Sequence, residues 1–420
     1  MIVYWLLFCD KSFRSYVQYV FDQLINYHTM TEKQTLNSTH ILIMSITAGI
    51  CVANVYYSQP ILGAIAASLH VDEKSAGLIS VLSQAGYGLG LFFLTPLGDK
   101  MDRKKLILWL QVALIVALIA MALSPNLAII YASSLAVGLF AVSAQVILPM
   151  AASLVSENRG KVVGIIFTGI LVGVLAARVF SGFITEWLSW RYVFGISAVM
   201  VMISAVLMQA DFPSSKDRFE GSYGQLLKST FAQFKRFGTL RRTALTGALT
   251  FGALSSFWIA LTFHLSGSPF NYQTDTIGLF GLLAVAGALL VPLFGKRADA
   301  GGKPKRSLLI TLSLVLASIL ILKVFPFSVI ALSVSVILLD VGVQATQVTN
   351  IALIYSLDTK ANSRINTVYM TCYFIGGATG AFVGLLCWKL GGWEMVTWQM
   401  IGFAILAMIV VATGKENREG

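Results

Sequence analysis

From residue 41 to residue 414 the chain is a succession of long apolar runs, parted for the most part by only a few polar residues. A helix needs about 20 apolar residues to cross a bilayer, whereas a membrane strand needs only about 10, in an alternating pattern. Unbroken runs of this length fit helices and exclude a barrel. The charge content of 12% also excludes an ordinary soluble domain, in which about a quarter of residues are charged. The runs predict twelve spans, over 41–67, 76–97, 105–124, 127–154, 161–184, 191–210, 244–266, 276–295, 306–324, 327–353, 365–389 and 394–414. The predicted fold class is all-α integral membrane, with twelve transmembrane helices in two pseudo-symmetric six-helix bundles.

The halves are expected at 39–210 and 244–414, joined by a polar loop over 211–243, with an amino-terminal arm over 1–38 and a tail over 415–420. Within the loop, Leu227, Phe231 and Phe234 recur at helical spacing. They predict either a short helix lying on the cytoplasmic surface or, in the blander reading, a solvated basic linker. In the arm, Phe13, Val17, Val20, Phe21 and Leu24 suit an interfacial helix, or Met30 is the true start. A net charge of +11 would suit nucleic acid were it not so distributed. With the amino terminus inside, all but Lys74, Arg178, Arg191, Lys323 and Lys389 of the 30 lysines and arginines fall on cytoplasmic segments. This positive-inside bias reports orientation and contact with anionic lipid. The expectation is a multi-pass cytoplasmic (inner) membrane protein, both termini cytoplasmic, with no nucleic-acid partner. Cys9, Cys51, Cys372 and Cys387 are scattered and give no disulfide framework.

Two loops repeat. Thr95 to Lys105 reads TPLGDKMDRKK and Gly295 to Lys305 reads GKRADAGGKPK, setting Asp99 against Asp299, Arg103 against Lys303 and Lys105 against Lys305. Each sits between two membrane-length runs, which makes an internal duplication. Ala141-Val-Ser-Ala-Gln145 likewise lies against Asp340-Val-Gly-Val-Gln344. A duplicated unit is the expected build of a secondary transporter with a central site.

The first loop resembles the signature of the major facilitator superfamily, G-x-x-x-D-[RK]-x-G-[RK]-[RK]. Asp99, Lys100, Arg103 and Lys104 are in register, and Thr95 and Asp102 stand in place of glycine. In the second copy Gly295, Asp299, Gly302 and Lys303 match, while Ala300 and Pro304 replace basic residues. The resemblance covers roughly residues 40 to 414 and implies twelve helices working by alternating access, as a functional monomer with no cofactor. NVYYSQP (54–60), LDVGVQ (339–344) and SRINTVYM (363–370) look most like the export branch that includes drug and arabinose-type sugar efflux permeases. The fifth span resembles the family's antiporter signature through Gly164, Gly173 and Gly182, but Ala177, Arg178 and Ser181 replace its Gly, Pro and Gly. Ser134 stands four residues before Gly138, where drug/proton antiporters usually place an arginine.

Asp340 is the sharpest single residue. It sits near the middle of the tenth span, roughly 20 Å from either end. Low dielectric penalises its charge, so it is a candidate to load and release a proton, or it is locked in a fixed ion pair. Arg178 is predicted towards the outer face, where it either snorkels to headgroups or joins the chemistry of Asp340. In the first span Asn54, Tyr56, Tyr57 and Gln59 precede Pro60, a combination that favours a kink facing protein or a wet cavity. Asn54, Gln145, Trp258 and Asp340 would line the central cavity by the resemblance. Gln344 mirrors Gln145, and Trp258 would either stack on substrate or pack. The resemblance also makes Asp99, Lys100, Arg103, Asp299 and Arg364 gate residues. Asp99 would meet the start of the eleventh span, capped by Asn362 or Ser363, and Asp299 would meet Asn158 and Arg159.

There is no G-x-x-x-x-G-K-[ST], H-E-x-x-H or G-x-S-x-G, so neither ATP nor metal or hydrolytic catalysis has a visible site. The expected function is efflux of a small organic solute coupled to protons. Import of a metabolite is the alternative, and a non-transporting sensor or membrane enzyme a remote one.

Overall fold

The computed structural model describes residues 37–155, 159–212, 221–284, 304–358 and 361–414, and every regular element among them is helical. Asp299, Asn158, the side chain of Arg159, the end of the predicted eighth span and nearly all of the amino-terminal arm lie outside the described residues.

Helix α1 (Ser38–Ala53) starts at Asn37, whose side chain accepts from the Thr39 amide while His40 reaches back to the Asn37 amide. Such reciprocal caps satisfy two orphan donors of a first turn. The helix stops at Asn54, passes through a turn and a 3₁₀ turn over Gln59–Ile61, and resumes as α2 (Leu62–Leu69). Pro60, which offers no amide, sits in that gap, as the predicted kink requires. Helix α3 (Glu73–Phe93) is capped by Asp72, and a 3₁₀ turn over Thr95–Asp99 carries the signature loop to α4 (Arg103–Ala122). Asp102, which stands where the family has glycine, caps α4 by accepting from the Lys104 amide.

Helices α5 (Leu127–Ala141) and α6 (Ser143–Leu154) share one span, followed by α7 (Arg159–Trp187) and α8 (Trp190–Asp211). The central loop contributes α9 (Tyr223–Arg236). Beyond it lie α10 (Gly238–Ser266), α11 (Thr274–Ala284), α12 (Pro304–Val324), α13 (Val329–Tyr355) and α14 (Asn362–Thr413). Helix α14 breaks at Gly391 and Gly392, the latter at φ 58°, and folds back on itself, so that Gly252 of α10 meets Gly376 from one limb and Phe403 from the other. That break falls between the predicted eleventh and twelfth spans. With α1 and α2 taken together, and α11 described only in its first part, the helices are consistent with twelve spans. Trp109, Val116, Met202 and Ile330 are among many large apolar side chains left exposed on the outside, a surface that lipid and not water must cover.

Small residues set the closest crossings. Ser45 and Gly49 of α1 meet Gly169 and Gly173 of α7, and a Cβ at Gly173 would run into the Gly49 carbonyl. Ala248 and Gly252 of α10 meet Gly376 and Gly380 of α14 in the same manner. Since lipid is as apolar as leucine, such backbone approach is what binds membrane helices together. Of the glycines in the predicted antiporter signature, Gly173 and Gly182 are crossings, whereas Gly164 faces open space. Gly173→Ala is therefore expected to cost about 1–3 kcal/mol, lowering the melting temperature of the purified protein, and Gly164→Ala to leave it unchanged. Equal effects of the two would refute this account.

Helix α9 does form, and it packs on protein with a face other than the predicted apolar stripe. Leu226, Thr230 and Gln233 are buried, while Phe231 is half exposed and stacks on Phe234 under Lys235. The polar members satisfy themselves: Thr230 donates to the Leu226 carbonyl and Gln233 to that of Ser229. The helix thus lies on protein with one face and leaves its aromatic face outward. Its Tyr223 hydroxyl donates to the Phe93 carbonyl, and Arg236 pairs with Asp358 at 3.0 Å, so it is fastened on both sides of the central loop.

Candidate functional site

Near the middle of the 27-residue α13, Asp340, Gln344 and Gln347 stand at intervals of four and three, one face of the helix. All three line a central cavity of about 100 Å³. From α10 the cavity receives Phe251, Ser255 and Trp258, again one helical face. The broken stretch after α1 supplies Tyr56 and Gln59, α3 supplies Tyr87, α6 Gln145, α7 Arg178, and α14 Tyr373 and Phe374.

Asp340 is 6% exposed and Arg178 4%. Arg178 does not snorkel. Its Nε donates to Gln59 Oε1 at 3.2 Å, and its guanidinium lies over the Trp258 ring, 4.0 Å from the centroid, with Tyr56 at 5.4 Å. Of the two predicted alternatives the snorkelling one is not seen, because protein surrounds this part of α7 and the charge is met by an amide and two aromatic faces. Trp258 accordingly spends a ring face on Arg178.

Arg178 and Asp340 act on each other electrostatically, yet form no ion pair among the described residues. The Oδ2 atom of Asp340 is buried without a hydrogen-bond partner, as is Nε1 of Trp258. Burying a carboxylate costs several kcal/mol unless something compensates it, so this oxygen marks the cavity as a place where a proton or a ligand is wanted.

Two residues of the NVYYSQP stretch are not at the cavity. Asn54 donates to the Ile50 and Cys51 carbonyls and accepts from Ser197 of α8, and Tyr57 packs on Phe180. Both hold the break in place, because the groups freed where α1 stops need partners in a dry interior. The Gln59 carbonyl, likewise freed, accepts from Thr262 of α10 at 2.8 Å.

A second cavity, of about 290 Å³, adjoins the first through Gln145 and Met370. The signature turn (Thr95, Asp99, Arg103), the start of α14 (Asn362, Ser363, Arg364) and Leu226 and Thr230 of α9 line it. The predicted contact of Asp99 with the start of α14 is not made: they face each other across this space, and Asp99 instead pairs with Arg103 at 3.4 Å. Nor does Asn362 or Ser363 cap α14, which starts after Ala361 with no side-chain cap. Lys100 is exposed. On the opposite face helices from before and after the central loop touch closely, Gly77 against Leu385 and Gly182 against Gly278 and the Thr274 carbonyl, while the Trp388 indole donates to Glu73. The central cavity thus adjoins space on the signature-loop side, while close helix contacts stand on the other.

Residues 44–381 match the sequence profile described as Major Facilitator Superfamily. The chain belongs to the Major Facilitator Superfamily. It is therefore a multi-pass membrane transporter and not an enzyme. Its relatives in the superfamily include an Escherichia coli O157:H7 protein described as uncharacterized transporter YgaY, 38% identical over 91% of this chain and 98% of the relative. A Helicobacter acinonychis protein described as a probable sugar efflux transporter is 23% identical over 82% and 87%. Among solved superfamily-like folds, a structure of the nucleoside transporter NupG superposes with a TM-score of 0.72 at 14% identity, covering 89% of this chain and 98% of that one. An inward-facing, occupied bacterial homologue of the human lysosomal transporter Spinster gives 0.68 at 12% identity, covering 89% and 95%. At such identities these two likenesses speak for the fold alone.

Sequence reasoning missed Tyr87, Phe251, Gln347, Tyr373 and Phe374. Helical spacing from residues already singled out would have found some of them: Gln347 lies three after Gln344, and Phe251 two turns before Trp258.

Proposed function

We propose that this transporter exports a small organic solute in exchange for protons, by opening the central cavity alternately to either side. Asp340 holds the proton when no solute is bound. The observation that carries the reading is its buried, unpartnered oxygen in a cavity lined from both sides of the central loop. A carboxylate there is costly, and either a proton or a ligand removes the cost. That the Helicobacter acinonychis relative is described as a probable sugar efflux transporter supports export. Asp99, Arg103 and Arg364, set around the space on the signature-loop side, act as its gate, with α9 bridging across.

The test is flux into liposomes reconstituted with the purified protein, using labelled leucine, arabinose and ethidium as probes. Exchange predicts accumulation when the lumen is acidic, because outward proton flow then drives solute in. Accumulation with an alkaline lumen would show symport and overturn export. Equal fluxes under both gradients would overturn proton coupling.

A further inference from the structure

The central cavity carries two opposite charges that do not neutralise one another, and that arrangement restricts the solute more than its shape does. Arg178 and Asp340 are the charged members of the lining, with Tyr56, Tyr87 and Tyr373 as its other ionisable groups. Arg178 comes from α7, before the central loop, and Asp340 from α13, after it. Of the arginine's donors only Nε has a hydrogen-bond partner among the described residues, Gln59. Its terminal nitrogens, with the guanidinium carbon 4.0 Å from the Trp258 ring centroid, remain available. A guanidinium fork fixed in this way matches a carboxylate, which takes two parallel hydrogen bonds from it. Asp340 offers the complementary demand, an acceptor oxygen with no donor.

We infer that the cavity binds a small zwitterion, its carboxylate on Arg178 and its ammonium on Asp340, with an apolar group against Phe251, Tyr373 and Phe374. Binding itself stands apart from the transport reading, on which only the later steps of the cycle rest. A monocation would serve Asp340 and leave the arginine fork empty, and a monoanion would do the reverse. A sugar hydrogen-bonds to both groups but brings no charge to offset either. A solute with both charges satisfies both, and the 4.1 Å stack of Phe251 on Tyr373 supplies a flat apolar wall beside them. Within the exchange scheme, ammonium and proton become alternative occupants of one carboxylate, and the ligand ties together elements from both sides of the central loop.

The test uses the purified wild-type protein in detergent near neutral pH. Alanine, leucine and phenylalanine are each compared with their methyl ester, which keeps only the positive charge, and their N-acetyl derivative, which keeps only the negative one. Binding is read from ligand-dependent rise of the melting temperature and from calorimetry. At least one free amino acid is expected to bind at least about tenfold more tightly than both of its derivatives, since truncating one partner of a desolvated charge pair costs that much or more. In Arg178→Gln the advantage of amino acid over ester should vanish. An ester binding as well as its amino acid in the wild type would make this a cation site, and an N-acetyl derivative doing so would make it an anion site. Either result, arabinose binding in preference, or no binding by any of the three amino acids would overturn the proposal. Proton-driven flux of a solute without both charges would defeat the zwitterion and spare exchange. Tight binding of an amino acid with no gradient-dependent flux would do the opposite.

Discussion

Asp340→Asn should abolish accumulation driven by a pH gradient while leaving the protein folded. The amide has nearly the shape of the carboxylate and cannot titrate, so any flux that remains should be the same at every pH. Folding is spared because the buried Oδ2 has no hydrogen bond to lose. In the exchange scheme Asp340 is protonated when no solute is bound, so in that state the amide replaces an already neutral group and takes no counter-charge away from Arg178. The melting temperature should therefore hold, while gradient-driven accumulation in liposomes falls to background. A variant that still accumulates solute with the wild-type pH dependence would place the proton elsewhere.

Gly138→Ala should be the most damaging single methyl group in the amino-terminal helices. A Cβ on Gly138 of α5 would collide with the Ser83 carbonyl oxygen and lie 2.9 Å from the Tyr87 amide nitrogen, both on α3. Neither neighbour is a side chain that can rotate away, so the two helices must separate. Overpacking of this kind costs about 1–3 kcal/mol, occasionally more. The damage also reaches the cavity, because Tyr87 and Gln145, joined at 3.2 Å, line it from α3 and α6. Thermal unfolding of the purified variant should show a clear loss beside Gly195→Ala, where the added methyl meets nothing within 4 Å. Indistinguishable melting curves would mean that the α3–α5 crossing yields more readily than its backbone contacts imply.

Hydropathy was enough to read the helical fold, because lipid admits few alternatives and each apolar run must satisfy its own backbone. The interruption after α1 was legible in Pro60 and its polar neighbours, and the turn inside α14 in Gly391 and Gly392. For Arg178 counting residues along a helix gave a height and left open whether it snorkels or joins Asp340, because it says nothing about which side faces protein. Its Trp258 and Gln59 partners come from distant segments and could not be seen in the order of residues. For α9 the apolar stripe was read and the face that packs on protein was not, for a different reason. Apolar spacing favoured Leu227, Phe231 and Phe234, whereas Thr230 and Gln233 can be buried once each has bonded to a carbonyl one turn back.

The wall between the central cavity and the far side is thin where the chain leaves α1. Gln59 faces the cavity, while Pro60 and Thr262 face a hollow of about 300 Å³ on the opposite side. What closes this point is the hydrogen bond between the Thr262 hydroxyl and the Gln59 carbonyl, with Gln59 also bound to Arg178. Water can replace such a bond at a net cost of only about 0.5–1.5 kcal/mol, whereas prising apart packed leucines exposes oily surface that nothing repays. The wall on that side thus includes a polar latch beside its close helix contacts, hung on the same glutamine that steadies the arginine, and a solute drawing on that arginine pulls directly on its hinge.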